Sequence, residues 1–545
     1  MVSILICPFF LFPEKSFSCV CGCFFFVSFP FPFFSFPLSF LHSTVKGLSN
    51  SSIQLIIKLS LHYSCVPLTQ LIFFLFSDPS KEISRNFHQM APFRSSFPRF
   101  NRIRIFIICW LASLTLFVLM GKTESIPKMD NSTLIRMSRS LKDIPSIIDT
   151  IDLPCEEGFS GNESAIEKLK KFTFDWSKVH DRIMNSTDRC NIYREEFGFE
   201  KSQSSEEERQ FPLAFAVLAH NRLEQLLLML SSVYETHNSF CLSIPSNSDQ
   251  SFIHLVHGLA DCFPNMHILQ SGPISWGSYA IMRVTYDCME LLVKKRKDWK
   301  YFQYLSGVDA PLRTNLEMVR IMKEWNGLSH VLTMPFQEGR LGNNRNKTRP
   351  LRLFKTSLSA IISREAAQVM IKHKKARELI EFLRGTRIAD ESFWASAMGN
   401  PDVMKIPGGF NATQFLIFSK QYSKAKKNGK GAKPRKCSSP PCLSRGFVGR
   451  YQTWIRRKCN GSWSNGSCVY GVSDLPSLYS NAAFVAHKLY LDYQPAALIC
   501  LLKKLKHHRL NPNEYFDARQ YNSLPQIEFI RGSSYDNLSR YDLIL

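Results

Sequence analysis

Short apolar runs alternate with longer amphipathic stretches from residue 211 onward. The runs PLAFAVLAH, FCLSI, NMHILQS and YFQYLSG have strand length, and the stretches between them, such as RLEQLLLMLSSVYETH, carry apolar residues at helical spacing. This alternation predicts an α/β domain over residues 211–505 with a mostly parallel central sheet. Because such sheets bind ligands at the carboxyl ends of their strands, we expect a site near His220, residues 245–247 and residues 307–311.

The pattern differs on both sides of this domain and in one segment within it. Residues 122–210 are polar with a few amphipathic turns, which predicts a lumenal stem that runs into the N-terminal part of the catalytic region. Residues 506–545 are interpreted as a C-terminal tail. Residues 421–450 contain KAKKNGKGAKPRK, which predicts a solvated basic loop, with the binding of a polyanion as the alternative.

The N-terminal segment does not have the composition of a globular domain. Residues 1–90 hold 17 of the 44 phenylalanines, and proline interrupts them too often for a membrane helix. We interpret residues 1–89 as an extension of doubtful translation and Met90 as the start. Residues 90–104 then form a basic cytoplasmic tail and residues 105–121 an apolar signal-anchor, whose arginine-rich side stays in the cytoplasm. A cleaved signal peptide is the alternative, but no small-residue cleavage site follows.

Sequons and cysteines agree with a lumenal body behind that anchor. Of the eight N-x-S/T sequons after residue 121, seven are candidate glycosylation sites: Asn131, Asn162, Asn185, Asn346, Asn411, Asn460 and Asn537. Ten cysteines in the same stretch lack the spacing of a zinc site, which favours disulfides in the secretory pathway. A net charge of +23 over 545 residues could indicate a nucleic-acid partner, but a lumenal location argues against that interpretation. The charge is better explained by the flank of the anchor, by solvated loops and by cations near an anionic substrate.

One acidic pair and one absence suggest the chemistry. Asp390 and Glu391 open the apolar turn RIADESFWAS. One interpretation is a pair of acids at a helix N-terminus that interact with the helix dipole. The other is a general base in a cleft, next to an aromatic wall of Phe393 and Trp394. No Asp-x-Asp pair, which often holds Mg²⁺ or Mn²⁺ at a nucleotide diphosphate, occurs in the sequence. Lys488, in the apolar stretch AAFVAHKLYL, is a candidate cation for such a diphosphate, with a snorkelling side chain as the alternative.

Five stretches resemble the core-2/I-branching β-1,6-N-acetylglucosaminyltransferases, family 14 of the glycosyltransferases. They are PLAFAVLAHNRLEQLLLML, SFIHLVHGLADCF, WKYFQYLSGVDAPLRTNLEMVR, ADESFWA, and SCVYGVSDLPSL with the AHK that follows it. The resemblance implies a GT-A type α/β fold on a type II anchor and stem in the Golgi membrane, with the catalytic domain in the lumen. It also implies four disulfides: Cys155–Cys500, Cys190–Cys262, Cys241–Cys288 and Cys459–Cys468. Cys437 and Cys442 lie outside that set and are a further candidate pair.

The resemblance also implies a reaction. Glu391 matches the family's catalytic base and would take the proton of an acceptor 6-hydroxyl as that oxygen attacks C1 of UDP-GlcNAc, which inverts the anomeric carbon. The expected product is a β-1,6 branch on the GalNAc of core 1 O-glycans, made without a metal or another cofactor. The expected partners are a UDP-sugar, an O-glycan or glycoprotein acceptor and the Golgi membrane. The implied donor-binding residues are Leu218, Ala219, His220, Trp276 and Lys488.

Some positions depart from the family's pattern. Pro245 stands where the family has an acidic residue near the uridine, and Asn465, which also begins a sequon, stands where it has the arginine that partners the lysine. Ser306 replaces an unpaired cysteine, and residues 335–350 hold no clear counterpart of the acceptor-binding residues. Because of these departures, two alternative functions remain. One is a related enzyme with I-branching or xylosyltransferase-like activity, and the other is an inactive Golgi lectin or scaffold with the same fold. Further candidate site neighbours are Ser306, Asp309, Asp390, Trp394 and Asn465, and candidate replacement charges are Arg456, Arg457 and Lys458.

Overall fold

The computed structural model describes residues 146–199, 204–427, 440–512, 516–534, 538–540 and 543. The N-terminal extension, the cytoplasmic tail and the signal-anchor lie outside these residues, as do Cys437 and the sequons at Asn131 and Asn537. Among the helices that are described, none is both long enough and apolar enough to cross a bilayer.

Short strands alternate with helices through the described part of the chain. The strands are β1 (Leu213–Leu218), β2 (Ser239–Pro245), β3 (Met266–Ser271), β4 (Tyr301–Ser306), β5 (Asp309–Pro311), β6 (Met334–Pro335), β7 (Phe354–Lys355), β8 (Ile361–Ser363), β9 (Tyr451–Gln452), β10 (Ser462–Ser464), β11 (Ser467–Val469) and β12 (Val485–His487). The α-helices are α1 (Cys155–Ser160), α2 (Glu163–Lys170), α3 (Trp176–Asn185), α4 (Arg189–Glu195), α5 (Glu206–Arg209), α6 (Leu223–Val233), α7 (Gln250–Cys262), α8 (Tyr279–Lys295), α9 (Asn315–Trp325), α10 (Arg364–Lys372), α11 (Lys374–Leu383), α12 (Phe393–Met398), α13 (Ala412–Lys427), α14 (Leu475–Tyr479), α15 (Pro495–Leu510) and α16 (Pro525–Ile530). The short 3-10 helices are Glu338–Arg340, Gly342–Asn344, Ala389–Glu391, Val472–Asp474 and Ala518–Ser523.

Five strands form the central sheet in the order β3-β2-β1-β4-β8. β1 pairs in parallel with β2 and β4, β2 pairs in parallel with β3, and β8 runs antiparallel to β4. A smaller sheet has the order β5-β12-β9. The predicted α/β fold with a mostly parallel sheet is therefore confirmed, and the carboxyl ends of four parallel strands share one edge.

Alternate residues of β1 face two hydrophobic layers. Leu213, Phe215 and Val217 pack into the layer that contains α6, α7 and α9, whereas Ala214 and Ala216 pack into the layer that contains α8 and α10 to α12. This division follows from the two-residue period of a strand, and burial on both faces explains why LAFAVL is apolar throughout.

The four disulfides implied by the family resemblance are all present. They are Cys155–Cys500, Cys190–Cys262, Cys241–Cys288 and Cys459–Cys468. The first ties α1 to α15, and the second ties α4 to α7. Cys442 is also disulfide-bonded. With Val179, Ile183 and Tyr193 fully buried, helices α1 to α4 belong to the folded domain, as the interpretation of residues 122–210 partly anticipated.

The described part of the predicted C-terminal tail packs onto the domain. The boundary at 506 falls inside α15, which continues to Leu510. Tyr521, Leu524 and Ile527 are fully buried. The side-chain amide of Gln526 accepts from the Val331 N–H at 2.9 Å and donates to the Val331 carbonyl at 2.7 Å. These residues therefore contribute to the core.

Candidate active site

The ends of β1 and β4 meet at the carboxyl edge of the sheet. The Gly307 N–H donates to the Leu218 carbonyl at 2.9 Å, and a Cβ built on Gly307 would lie only 2.9 Å from that of Ala219. Glycine is needed here because a side chain would push the two strand ends apart. Ala219 is buried, and His220 is exposed. The structure therefore brings these predicted donor-binding residues together, with the imidazole accessible from solvent.

Asn247 joins the loops that follow β2 and β3. Its side-chain amide donates to the Ile274 carbonyl at 3.2 Å and accepts from the Ile274 N–H at 3.0 Å. This contact fixes the loop that carries Trp276, whose side chain is 66% exposed. An exposed indole on a fixed loop offers an apolar face to a ring-shaped ligand. Pro245 is buried at the end of β2 and brings no charge to this part of the edge.

The loop that carries Trp276 also approaches the segment before Glu391. A Cβ built on Gly277 would lie 3.7 Å from the side chain of Ile388. Ile388 has a left-handed backbone with φ of 53°. That conformation is unfavourable for a β-branched residue and is found where the surrounding structure enforces it, often at functional sites. Trp276 and Glu391 therefore lie in neighbouring loops.

Glu391 ends a 3-10 helix beside β7. Its backbone carbonyl accepts from the Thr356 N–H at 2.8 Å. Its Oε2 atom contacts Arg340 Nη2 at 2.7 Å and Lys355 Nζ at 3.6 Å, and the side chain is 20% exposed. Within the described residues, no hydrogen bond reaches Oε1. One oxygen of the carboxylate is thus anchored, and the other is free to accept a hydrogen bond from a ligand.

Asp390, next to this carboxylate, has a different environment. Its Oδ1 atom is buried and has no hydrogen-bond partner in the described part of the chain. Desolvation, followed by repulsion from Glu391, raises the pKa of Asp390 to about 7, although Arg340 and Arg450 oppose the shift. At mildly acidic pH the Asp390 carboxyl is therefore protonated and adds no negative charge beside Glu391.

The aromatic wall predicted beside Glu391 is wrong. Phe393 and Trp394 are both fully buried. The ring of Trp394 lies 6.1 Å from that of Phe302 in β4, and the ring of Phe393 meets that of Tyr286 in α8 edge-on at 5.6 Å. Both rings face the core because α12 packs against the sheet. Trp394 therefore packs in the core next to the Glu391 segment and does not line the site.

A buried ionic network connects the end of β4 with the end of β12. Asp309 is fully buried, accepts from the Ser306 N–H at 2.8 Å and from His487 Nδ1 at 2.7 Å, and lies 3.5 Å from Arg450 Nη2. Burial would raise the pKa of Asp309, but Arg450 and His487 lower it below the ordinary value. Desolvation and Arg450 lower the pKa of His487 to about 4, so this imidazole is neutral. Since His487 precedes Lys488, the network fixes the backbone at that lysine.

Lys488 is a buried cation, and none of the described carboxylates pairs with it. It is 6% exposed, donates from Nζ to the Ser464 carbonyl at 3.1 Å and lies 5.3 Å from the centroid of the Tyr490 ring. A buried ammonium group without a counter-ion is unfavourable. This environment fits a ligand for an external anion better than a snorkelling surface lysine.

Asn465 lies in the turn between β10 and β11, next to the carbonyl that Lys488 binds. It is exposed and has a left-handed backbone with φ of 49°. This turn brings no cation to Lys488. The candidate replacement charges Arg456, Arg457 and Lys458 are exposed.

The described sequons lie at or near the surface. Asn411 is half-buried, and four others are exposed: Asn162, Asn185, Asn346 and Asn460. Asn162 and Asn411 use their side-chain oxygens to accept from backbone N–H groups three residues later. Glycan attachment is at the amide nitrogen, so these contacts are compatible with modification.

Sequence reasoning missed four charged residues of this region: Arg222, Arg340, Lys355 and Arg450. The available signal was weak, because each is one basic residue among many in a chain with 68 Lys and Arg. Arg340 meets Glu391 across 51 residues of sequence, and hydrophobic periodicity does not reveal such contacts.

Comparison with known proteins defines the class of the chain. A family model described as Core-2/I-branching enzyme matches residues 213–406. A human β-1,3-galactosyl-O-glycosyl-glycoprotein β-1,6-N-acetylglucosaminyltransferase is 26% identical over 390 residues, covering 66% of this chain and 86% of the relative. The human enzyme with the same name and the number 3 is 25% identical over 370 residues, covering 64% and 80%. The chain is therefore a glycosyltransferase.

Within that class, residues 213–406 are similar to the Core-2/I-branching enzymes, and the two human relatives extend the similarity over about two thirds of the chain. Among solved structures, that of mouse xyloside xylosyltransferase 1 is 12% identical, with a TM-score of 0.22, and covers 51% of this chain and 97% of that one.

Proposed function

We propose that this protein is an inverting, metal-independent transferase that moves GlcNAc from UDP-GlcNAc to the 6-hydroxyl of the GalNAc in core 1 O-glycans. The observation that carries the proposal is the geometry of Glu391, whose Oε2 is anchored by Arg340 and whose Oε1 is free. The names of the human relatives describe β-1,6 transfer of N-acetylglucosamine to a β-1,3-galactosylated O-glycan, which supports the linkage and the acceptor class.

In this mechanism Glu391 Oε1 accepts the proton of the acceptor hydroxyl as its oxygen attacks C1 of the donor sugar. A base is needed because a sugar hydroxyl is too weakly acidic to ionise at neutral pH. The bond between C1 and the diphosphate oxygen breaks, and its electron pair leaves with UDP. Leu218, Ala219, His220 and Trp276 contact the nucleotide side of the donor, and Lys488 meets the negative charge that develops on the diphosphate.

The metal independence in this proposal rests on the charge of the site. The described residues contain no cluster of three or more His, Cys, Asp and Glu side chains suited to a metal ion. Lys488 instead brings a fixed cation to the sheet edge. Activity is expected to survive EDTA, and a strict requirement for Mn²⁺ would contradict this part of the proposal.

We further propose a Golgi location, with residues 105–121 as the anchor and the catalytic domain in the lumen. The arginines before that segment and the sequons and disulfides after it support this orientation. In intact microsomes, protease is expected to spare the domain. After lysis, endoglycosidase is expected to lower the apparent mass of the protein by removing its N-glycans. Digestion of the domain in sealed vesicles would contradict the orientation.

The central experiment replaces Glu391 by Gln. Loss of a general base typically reduces the rate by about 10²–10⁴-fold, so transfer from UDP-GlcNAc to Galβ1-3GalNAc-α-benzyl is expected to fall by that much. Glu381→Gln is the matched control, since Glu381 is an exposed, ion-paired glutamate on α11. Transfer by the Glu391→Gln variant at a near wild-type rate would exclude Glu391 as the base.

A second candidate, transfer of a different sugar such as xylose, is favoured by Pro245 and Asn465. By the family resemblance, both stand where charged residues of the donor site are expected, and they bring neither an acid to the first position nor a cation to the second. Parallel assays with UDP-GlcNAc and UDP-xylose separate the two candidates by the ratio of kcat/KM.

A further inference from the structure

A second cation lies beside Lys488, on a residue to which sequence reasoning gave no role. Arg222 is the N-cap of α6, two residues after His220, and its guanidinium carbon lies 4.4 Å from the centroid of the Tyr490 ring. Lys488 Nζ lies 5.3 Å from the same centroid. Two positive charges from distant parts of the sequence thus share one aromatic ring at the carboxyl edge of the sheet.

The contacts of Arg222 leave part of its guanidinium unused. Nη2 pairs with Asp492 Oδ2 at 2.8 Å, but the side chain of Asp492 is 67% exposed, and surface pairs of this kind contribute little stability. The Nε atom of Arg222 is buried without a hydrogen-bond partner in the described residues. A buried guanidinium donor without a partner indicates a missing acceptor.

The backbone around Tyr490 is held firmly against the start of α6. The fully buried side chain of Gln225 donates to the Leu489 carbonyl at 2.8 Å and accepts from the Leu491 N–H at 2.9 Å. Arg222 itself adopts a left-handed backbone with φ of 61°. A helix needs neither the left-handed backbone of Arg222 nor the two hydrogen bonds of Gln225. We infer that the rest of the fold enforces the position of Arg222 beside Tyr490.

The electrostatics of this corner favour an anion. Burial would raise the pKa of Tyr490, but its hydrogen bond with Ser464 and the charges of Lys488 and Arg222 lower it below the ordinary value. The first N–H groups of α6 add partial positive charge, and the Arg222 side chain makes no capping hydrogen bond to them. Two cations that share one ring favour a ligand of opposite charge beside them.

We propose that Arg222 is the second cation of the diphosphate site and acts with Lys488 across the ring of Tyr490. The proposal rests on the function proposed above and adds to it the residue that completes the charge at the phosphates. Arg222 takes this role in place of the exposed candidates Arg456, Arg457 and Lys458. Because a diphosphate presents several anionic oxygens, two separated cations neutralise it better than Lys488 alone.

The test measures binding of UDP and of inorganic pyrophosphate to the purified full chain by calorimetry. Arg222→Gln is expected to weaken UDP binding about tenfold, the effect of one charge-assisted contact of about 1.4 kcal/mol, and Arg222→Lys is expected to recover part of the loss. Arg182→Gln is the matched control, since Arg182 forms an exposed ion pair with Glu196 at 2.6 Å on α3. Thermal midpoints for all variants show whether each one is folded.

Several results would overturn the assignment. UDP binding by Arg222→Gln within twofold of the wild type would mean that Arg222 does not contact the diphosphate. Weaker binding by Asp492→Asn than by wild type would mean that Arg222 serves the ion pair and not the ligand. Absence of UDP and pyrophosphate binding to the wild type would remove the anion site altogether. If Arg222 governs UDP binding but no GlcNAc transfer occurs, the proposed function fails and the Arg222 assignment stands.

Discussion

Arg340 Nη2 lies 2.7 Å from Oε2 of Glu391, and Arg340 Nη1 is buried without a hydrogen-bond partner among the described residues. One end of this guanidinium therefore fixes the carboxylate, while the other is available to a ligand. Lys355 reaches the same carboxylate oxygen at 3.6 Å. The two cations leave Glu391 with a single open oxygen, so the direction from which a hydroxyl can approach is set by the protein.

Arg340→Gln is expected to lower kcat about tenfold, because the carboxylate loses the contact that orients Oε1. KM for the UDP-sugar is expected to stay within twofold, since Arg340 contacts the base and not the donor-binding residues. Arg349→Gln is the control, because Arg349 pairs with the exposed Glu338 in the same segment. Equal effects of the two substitutions on kcat would show that Arg340 has only a structural role.

Asp390→Asn is expected to stabilise the protein at neutral pH. The pKa of about 7 in the folded protein lies above the ordinary value of 3.8, so the fold favours the protonated carboxyl. The stabilising contribution is complete below about pH 4 and is lost as the pH rises through 7, with a total on the order of 4 kcal/mol. An amide does not titrate, so the stability of the variant should exceed that of the wild type at pH 8 and approach it at pH 4.

Thermal unfolding of both proteins between pH 4 and pH 8 measures this difference. Asp402→Asn, at an exposed position, provides the control. A constant difference between Asp390→Asn and the wild type across that range would mean that Asp390 does not titrate as described.

The parts of the fold that were predictable from the sequence are those whose buried residues recur with the period of a strand or a helix. The run LAFAVL predicted β1 because a strand covered on both faces must be apolar, and the parallel order followed from helices of sufficient length between strands. The four disulfides followed from the family resemblance, since spacing alone leaves many pairings open. Periodicity located Phe393 and Trp394 in a helix but could not tell the core side from the site side.

The site was less predictable because its charges meet only in three dimensions. Glu391 and Lys488 were candidates from the sequence, and the resemblance gave them their roles, whereas Arg222, Arg340 and Arg450 became visible only through their contacts. A lone arginine in a basic chain gives no sign of whether it faces solvent or another charge.

Trp276→Ala is expected to raise KM for the UDP-sugar about fivefold, the effect of losing a stacking contact of about 1 kcal/mol, with little change in kcat. The side chain is 66% exposed, so its removal should leave the thermal midpoint almost unchanged. Trp276→Phe provides the matched variant and should retain most of the affinity. An unchanged KM for the alanine variant would place Trp276 outside the donor site.

Removing the Cys155–Cys500 disulfide is expected to destabilise the domain more than removing Cys459–Cys468. The sequence separations are 345 and 9, and in the chain-entropy account a longer closed loop restricts the unfolded chain more. The estimated difference is about 3 kcal/mol, reduced by whatever structure the unfolded chain retains. Double serine variants compared by denaturant unfolding measure this difference.

Activity should respond in the opposite order, because Cys468 adjoins the turn whose carbonyl binds Lys488, whereas Cys155 and Cys500 join α1 to α15. Loss of activity without loss of stability in the Cys459–Cys468 variant would support this division, and equal losses of stability in both variants would contradict the loop-length argument.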